Sequence, residues 1–391
     1  MWRMLIFNIG LLVTNDPNQD GTPLGIIKDA ALVIENGVIS WVGSNREAAK
    51  SDFKNSIDAR GNCVIPGFVD SHSHIIFAGD RSDEFRARMK GEKYSAGGIN
   101  STVALTRAAT NQELLSNAHR ILAEANSTGT TTLEIKSGYG LTVKDEARSL
   151  EIASSLTEET TFLGAHVVPL EFQNDPDGYV DLVCGEMLDA ALPHAKWIDV
   201  FCDKGAFTPD QTRKILKAGI AKGLKPRLHA NQLEAGEGIK IGVELDAASV
   251  DHVSHISERD ISLLSKSNTV ATILPGAEFS TRSKYLDSRP LFEAEINIAL
   301  ASDCNPGSSY TNNMQFIIAL AVRECFFTPE QALWSATAGG AKALRRSDVG
   351  VLKVGANADL LLLNSPSYIH LAYRPGVNQI EQVWRNGERI K

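Results

Sequence analysis

Apolar positions along this chain follow two different periods. Short runs of mostly aliphatic or β-branched residues recur at "CVIPGFVD" (63–70), "TTLEIK" (131–136), "TFLGAH" (161–166) and "WIDVFCD" (197–203). Four more follow at "KPRLHA" (225–230), "ASVDHV" (248–253), "TVATIL" (269–274) and "NIALASD" (297–303). Runs of this length predict strands buried on both faces, as in parallel sheets. Between them the spacing lengthens to the helical period. Residues 110–126 place apolar side chains at 114, 115, 118, 121, 122 and 125 behind a Thr110-x-x-Glu113 capping box, and Gly129 stops the helix. Thr208-Pro209 and Thr328-Pro329 each open another helix, with proline in the first turn where no amide donor is needed. Eight strands alternating with helices over about 280 residues predict an α/β fold, a (β/α)8 TIM-type barrel. The count of eight favours the barrel; periodicity alone also allows an open doubly wound sheet.

The two ends carry a different pattern. "ALVIENGVISWVG" (31–43) joins two β-rich runs through Asn36-Gly37, and "QIEQVWRNGERIK" repeats the device with Asn386-Gly387. Both dipeptides tolerate the positive φ of a tight hairpin turn. "ADLLLL" (358–363) reads as another buried strand. A small β-sandwich-like domain built from both termini, 1–63 and 353–391, is expected beside a catalytic barrel over 64–352.

Charge and composition narrow the function. With 39 basic and 47 acidic residues the chain carries a net −8, and no basic stripe runs along it. Nucleic acid is therefore not an expected partner. No apolar run approaches the ~20 residues that span a bilayer, so no membrane role is expected. The apolar N-terminal stretch reads as a strand and not a signal peptide. The five cysteines show no C-x-x-C spacing, which favours a reducing compartment and a cytoplasmic location.

Candidate chemistry lies in the nine histidines. In barrels of this kind the site is built where strands end and loops begin. His72 and His74 end the first predicted strand, His166 the third, His229 the fifth and His252 the sixth, while Asp303 ends the eighth. Residues i and i+2 of a strand share a face, so His72 and His74 can reach one ion together. Neutral imidazoles with a carboxylate suit Zn or Fe(II). Cys304, next to Asp303, is expected to pack away from such a site by alternation.

"PGFVDSHSH", a later strand-end His, a "DH", a final "SD" and "GVLKVGANADLLLL" resemble the amidohydrolase superfamily along the entire chain. "KSGYGL", "GAHVVPLEFQNDPD", "HANQ" and "ASDCNPGSS" are similar to the imidazolonepropionase family within it. That resemblance implies hydrolysis of the cyclic amide of 4-imidazolone-5-propanoate, with one divalent metal, Zn or Fe, held by His72, His74, His229 and Asp303. It implies that Arg81, Tyr94, Tyr139 and His166 meet the substrate's propionate, and that Gln232, Asn305, Gly307 and Ser308 hold its ring. His252 is placed beside the scissile bond, and Asp303 carries the proton. Relatives often carry Glu where this chain has Gln232, and the segment around Tyr94 is shorter than theirs. By the same analogy a homodimer is expected. A carboxylated lysine bridging two metals is not: Lys204 lies beyond the fourth strand, and Lys136 ends the second. The alternatives are another cyclic amidohydrolase, an aromatic-base deaminase, or a metal-free scaffold.

Overall fold

The computed structural model describes residues 3–48, 53–91 and 98–391. They divide into two compact units: Met1–Asp70 with Ala123–Thr132 and Asn313–Lys391, and Ser71–Leu122 with Leu133–Asn312.

In the first unit, strands from both chain ends form one mixed sheet. Arg3–Val13 pairs antiparallel with Ile26–Glu35, which turns through Asn36-Gly37 into Val38–Ser44. Asn36 and Gly37 adopt φ of 49° and 86°, as do Asn386 and Gly387 at 50° and 76°, the positive values that a two-residue hairpin demands. Leu360–Leu363 and Ile380–Arg385 complete the sheet through Cys63–Pro66. Leu12, Leu32, Val64, Leu360, Leu362 and Trp384 close its core. The run 63–70, read above as one strand, is two. Cys63–Pro66 joins the terminal sheet, whereas Phe68–Asp70 pairs with Thr130–Leu133. Gly67 makes the break possible, because a Cβ there would lie 2.1 Å from Thr131 Oγ1.

The second unit carries parallel strands at Ile135–Lys136, Thr160–Ala165, Trp197–Cys202, Leu228–Ala230, Ser249–His252, Val270–Ile273 and Ile298–Leu300. Each neighbours the next in sequence, without the reversal that defines a doubly wound sheet. Segment 72–74 bonds on both sides: Lys136 N–H donates to Ser73 O (2.9 Å), His74 N–H to Cys304 O (2.9 Å) and Asp303 N–H to His72 O (3.0 Å). This is an α/β fold of the TIM type. The expected helices are present at Asn111–Ser127 and Pro209–Ala221. Thr110 and Glu113 exchange both capping-box hydrogen bonds, at 2.8 and 3.2 Å. Among the described residues no helix is long and apolar enough to cross a membrane.

Candidate metal centre

Consecutive strand ends bring His72, His74, His229, His252 and Asp303 together, all almost fully buried. His74 Nε2 lies 3.2 Å from His72 Nε2, 3.3 Å from His229 Nε2 and 3.5 Å from Asp303 Oδ1. His72 Nε2 is also 3.5 Å from Asp303 Oδ1. Ligand atoms placed tetrahedrally around an ion at 2.0–2.1 Å are separated by about 3.3–3.4 Å. The observed spacings match that figure.

Hydrogen bonds fix which nitrogens face inward. His72 Nδ1 donates to Asp251 Oδ2 (2.8 Å), and His229 Nδ1 donates to Asp199 (3.0 Å to Oδ2). Both rings therefore turn an Nε2 lone pair toward His74 and Asp303, the carboxylate–histidine arrangement typical of metal sites. Converging lone pairs repel unless a cation sits among them, so the donor set fits a divalent metal. Burial, followed by the Lys136 ammonium, holds the His72 imidazole well below its ordinary pKa; burial and the His72 ring do the same for His74. Both are thus neutral and ready to ligate. Burial pushes the Asp303 carboxyl well above the carboxylate range.

Behind the ligands lies a charged layer that reading the sequence did not single out. Lys136 Nζ bridges Glu134 Oε1 (3.0 Å) and Asp199 Oδ2 (2.9 Å), and Arg227 Nη2 donates to Asp251 Oδ2 (3.3 Å) and Ser71 O (2.6 Å). All of these side chains are sequestered from solvent. Burial alone would raise the Asp199 and Asp251 carboxyls; His229 and Lys136 beside the first, and Arg227 and His72 beside the second, hold both below their usual range. A signal was available. An acid inside an apolar strand, as in "WIDVF" and "SVDHV", is costly to bury unless it is paired. Lys204, by contrast, is 72% exposed and pairs with Glu234.

Backbone turns aim two of the groups. His252 and Asp303 take φ of 79° and 50°, and Val253 follows at 49°. Left-handed backbone at a β-branched residue stores strain, about 1–3 kcal/mol, and is characteristic of functional sites. His252 completes a second group with His72 and His229 whose nitrogens lie within 4.8 Å of one another. Burial and His229 hold its pKa well below the ordinary value.

A cavity of about 40 Å³ opens on the centre, lined by His74, Arg81, Tyr139, His166, His229, Gln232, His252, Asp303, Asn305 and Ser308 among others. His166 stacks on His74 with ring centroids 5.3 Å apart and donates from Nδ1 to Gly138 O (3.0 Å), leaving Nε2 for the cavity. Burial, then His229, lowers its pKa to about 3, so the ring is neutral. The "SGYGL" loop that carries Tyr139 is anchored by Glu146, whose carboxylate accepts from the amides of Gly138, Gly140 and Leu141 at 2.8–3.2 Å. Asn305 shapes its own loop: Oδ1 accepts from Gly307 and Ser308 N–H at 2.8 Å, and Nδ2 donates to Asp303 O and Ser308 Oγ. Ser308 Oγ in turn lies 3.3 Å from Asp303 Oδ2. Gly307 O accepts from the buried Arg88 (2.8 Å), another residue with no obvious sequence signal. Gln232 and Leu233 are held by their backbone amides on Asp203. Cys304 is buried. Tyr94 lies outside the described residues.

Residues 203–390 match the model of the amidohydrolase family. A curated imidazolonepropionase from Mycolicibacterium smegmatis is 60% identical over 390 residues, covering 100% of this chain and 98% of that protein. One from Streptomyces griseus is 58% identical over the full length of both. Among solved structures, a mutant atrazine chlorohydrolase from Arthrobacter aurescens, complexed with zinc and atraton, superposes with a TM-score of 0.76. It covers 99% of this chain and 95% of its own at 16% identity, which speaks for the fold alone. With nearly every residue aligned to imidazolonepropionases at this identity, the chain belongs to the imidazolonepropionase family of amidohydrolases.

Proposed function

We propose that this protein hydrolyses the ring amide of 4-imidazolone-5-propanoate to N-formimino-L-glutamate, a step of histidine degradation. The observation that carries the reading is the clustering of His72, His74 and Asp303, with His229 Nε2 3.3 Å from His74 Nε2, beside a cavity whose wall includes Arg81. His72, His74, His229 and Asp303 would hold one divalent ion, Zn or Fe. Bound there, the ion supplies a Lewis acid and lowers the pKa of its water from 15.7 to about 7.

The remaining work falls to the chain. Water adds to the ring carbonyl carbon, the carbon–nitrogen bond breaks, and the leaving nitrogen takes a proton. Asp303, buried among the proposed ligands, is suited to accept the water's proton and return it to nitrogen. His252, turned inward by its left-handed backbone, stands beside the carbonyl oxygen and offsets its growing charge. Gln232, Asn305, Gly307 and Ser308 border the ring. Gln232 has no titratable proton, so it serves by hydrogen bonding only. Arg81 offers the propionate a planar fork, with Tyr139 and His166 beside it. His166 has committed Nδ1–H to Gly138, so donating to the tail from Nε2 requires it to take up a proton on binding.

The same reading retains Tyr94 near the tail, a sandwich-like terminal domain over 1–63 and 353–391, a barrel over 64–352, and a cytoplasmic homodimer. Light scattering of the purified protein tests the dimer. The activity is tested by incubating metal-loaded protein with 4-imidazolone-5-propanoate and following loss of the ring chromophore. Turnover that drops about 100-fold in kcat/KM in Arg81→Met supports the reading, since two charge-assisted hydrogen bonds are lost. Absence of turnover, or ammonia release from a purine or pyrimidine instead, contradicts it.

A further inference from the structure

Arg81 is not waiting with an open fork. Its Nε donates to Glu84 Oε1 (2.9 Å) and its Nη2 to Glu84 Oε2 (2.6 Å), the two-pronged geometry in which a guanidinium binds a carboxylate ligand. The pair is asymmetric. Arg81 has a side chain only 5% exposed and lines the cavity, whereas Glu84 is 37% exposed, on the first turn of the helix Ser82–Met89. Two glycines press on the guanidinium: a Cβ at Gly98 would lie 2.2 Å from Nη2, and one at Gly307 would lie 2.3 Å from Nη1. Gly98 packs on the Glu84 carboxylate too, where a Cβ would lie 2.5 Å from Oε2, so the partners differ in that Glu84 faces solvent and Arg81 does not.

We infer that Glu84 is an internal stand-in for the substrate's carboxylate, seated on the Arg81 fork until a carboxylate-bearing ligand displaces it. The inference rests on the proposed role of Arg81 and adds a specificity device to it. A ligand with an anionic tail replaces one charge-assisted pair with another. A ligand lacking the anion would break the Arg81–Glu84 pair and give no charge-assisted pair in return. Glu84 thus rejects neutral rings at the cost of weaker binding for the acid. The apparent dissociation constant rises by the inverse of the fraction of molecules in which the fork is open.

The test uses metal-loaded enzyme and two non-reacting probes, imidazole-4-propanoate and its uncharged amide, imidazole-4-propanamide, by titration calorimetry. In Glu84→Gln and Glu84→Ala, affinity for the propanoate is expected to increase about tenfold, as for an open fraction near one in ten. KM for the substrate should fall in parallel, by more than kcat changes. Propanoate affinity that is unchanged or weaker would overturn the inference, because Glu84 would then merely brace Arg81. An equal gain for both probes would overturn it as well, since the competition must be specific for the anion. If instead Arg81→Met binds both probes as wild type does, it is the role of Arg81 itself that fails.

Discussion

Consider replacing Asp251 by Asn. The carboxylate does two jobs: it accepts the Nδ1 proton of His72 at 2.8 Å and lies against the buried Arg227 guanidinium at 3.3 Å. An asparagine oxygen in the place of Oδ2 can still accept from both His72 Nδ1 and Arg227 Nη2, but the charge is gone. Removing one partner of a buried ion pair costs about 3–5 kcal/mol, so the metal-free protein should melt markedly lower. Independently, an imidazole backed by a neutral amide is a weaker base. Loss of such an outer partner weakens metal binding about 10–100-fold, or about 1.4–2.7 kcal/mol. Arg227→Met separates the two effects, because it breaks the pair yet leaves the carboxylate on His72. It should destabilise the protein while changing metal affinity by less than about threefold, the surviving carboxylate still orienting the ring. Competition against a chromophoric chelator gives both affinities. Asp251→Asn binding metal as tightly as wild type would refute the reasoning and reduce Asp251 to a counter-ion of Arg227.

Two further outcomes follow from the same geometry. Glu278 is buried, accepts from Ser254 Oγ at 2.6 Å, and has its carboxyl pushed up to about 7, chiefly by burial. The folded state therefore holds a proton that the unfolded state releases near the ordinary value of 4.5, so this group's contribution to stability should fall as pH rises from about 4.5 to 7 and then level off. That contribution is about 3 kcal/mol at 1.36 kcal/mol per pH unit, and Glu278→Gln should make the fall in chelator-treated protein shallower by about that much; an unchanged slope in thermal melts at pH 5 and 8 would contradict this. Gly307→Ala places a Cβ against Arg81 Nη1, and displacing the fork should raise KM about tenfold with little change in metal content; an unaltered KM would show that the fork can shift freely.

Much of the site could be read from residue order, because a parallel barrel delivers strand ends to one face. Once "HSH", "RLHA", "VDHV" and "ASD" were recognised as strand exits, their convergence followed, and the structure brings all of them together. The charged layer behind them was legible only in part: an acid inside an apolar strand signals a partner, but the partners lie far off in sequence, His229 and Lys136 for Asp199, His72 and Arg227 for Asp251. Hairpin turns were legible because Asn-Gly reports a local backbone need. The division of 63–70 was not, because Gly67 answers to Thr131, more than sixty residues away. The engagement of Arg81 by Glu84 was not legible, because the i, i+3 spacing does not show that the arginine is buried.

The position of the ion decides which residues carry the chemistry. The His72, His74, Asp303 group and the His72, His229, His252 group offer two different positions. Anomalous diffraction from crystals of the metal-loaded protein, recorded at the metal's absorption edge, distinguishes them directly. One peak about 2.0–2.2 Å from Nε2 of His72, His74 and His229 and from Oδ1 of Asp303 is the predicted result. A peak among His72, His229 and His252, or none at this face, would contradict it.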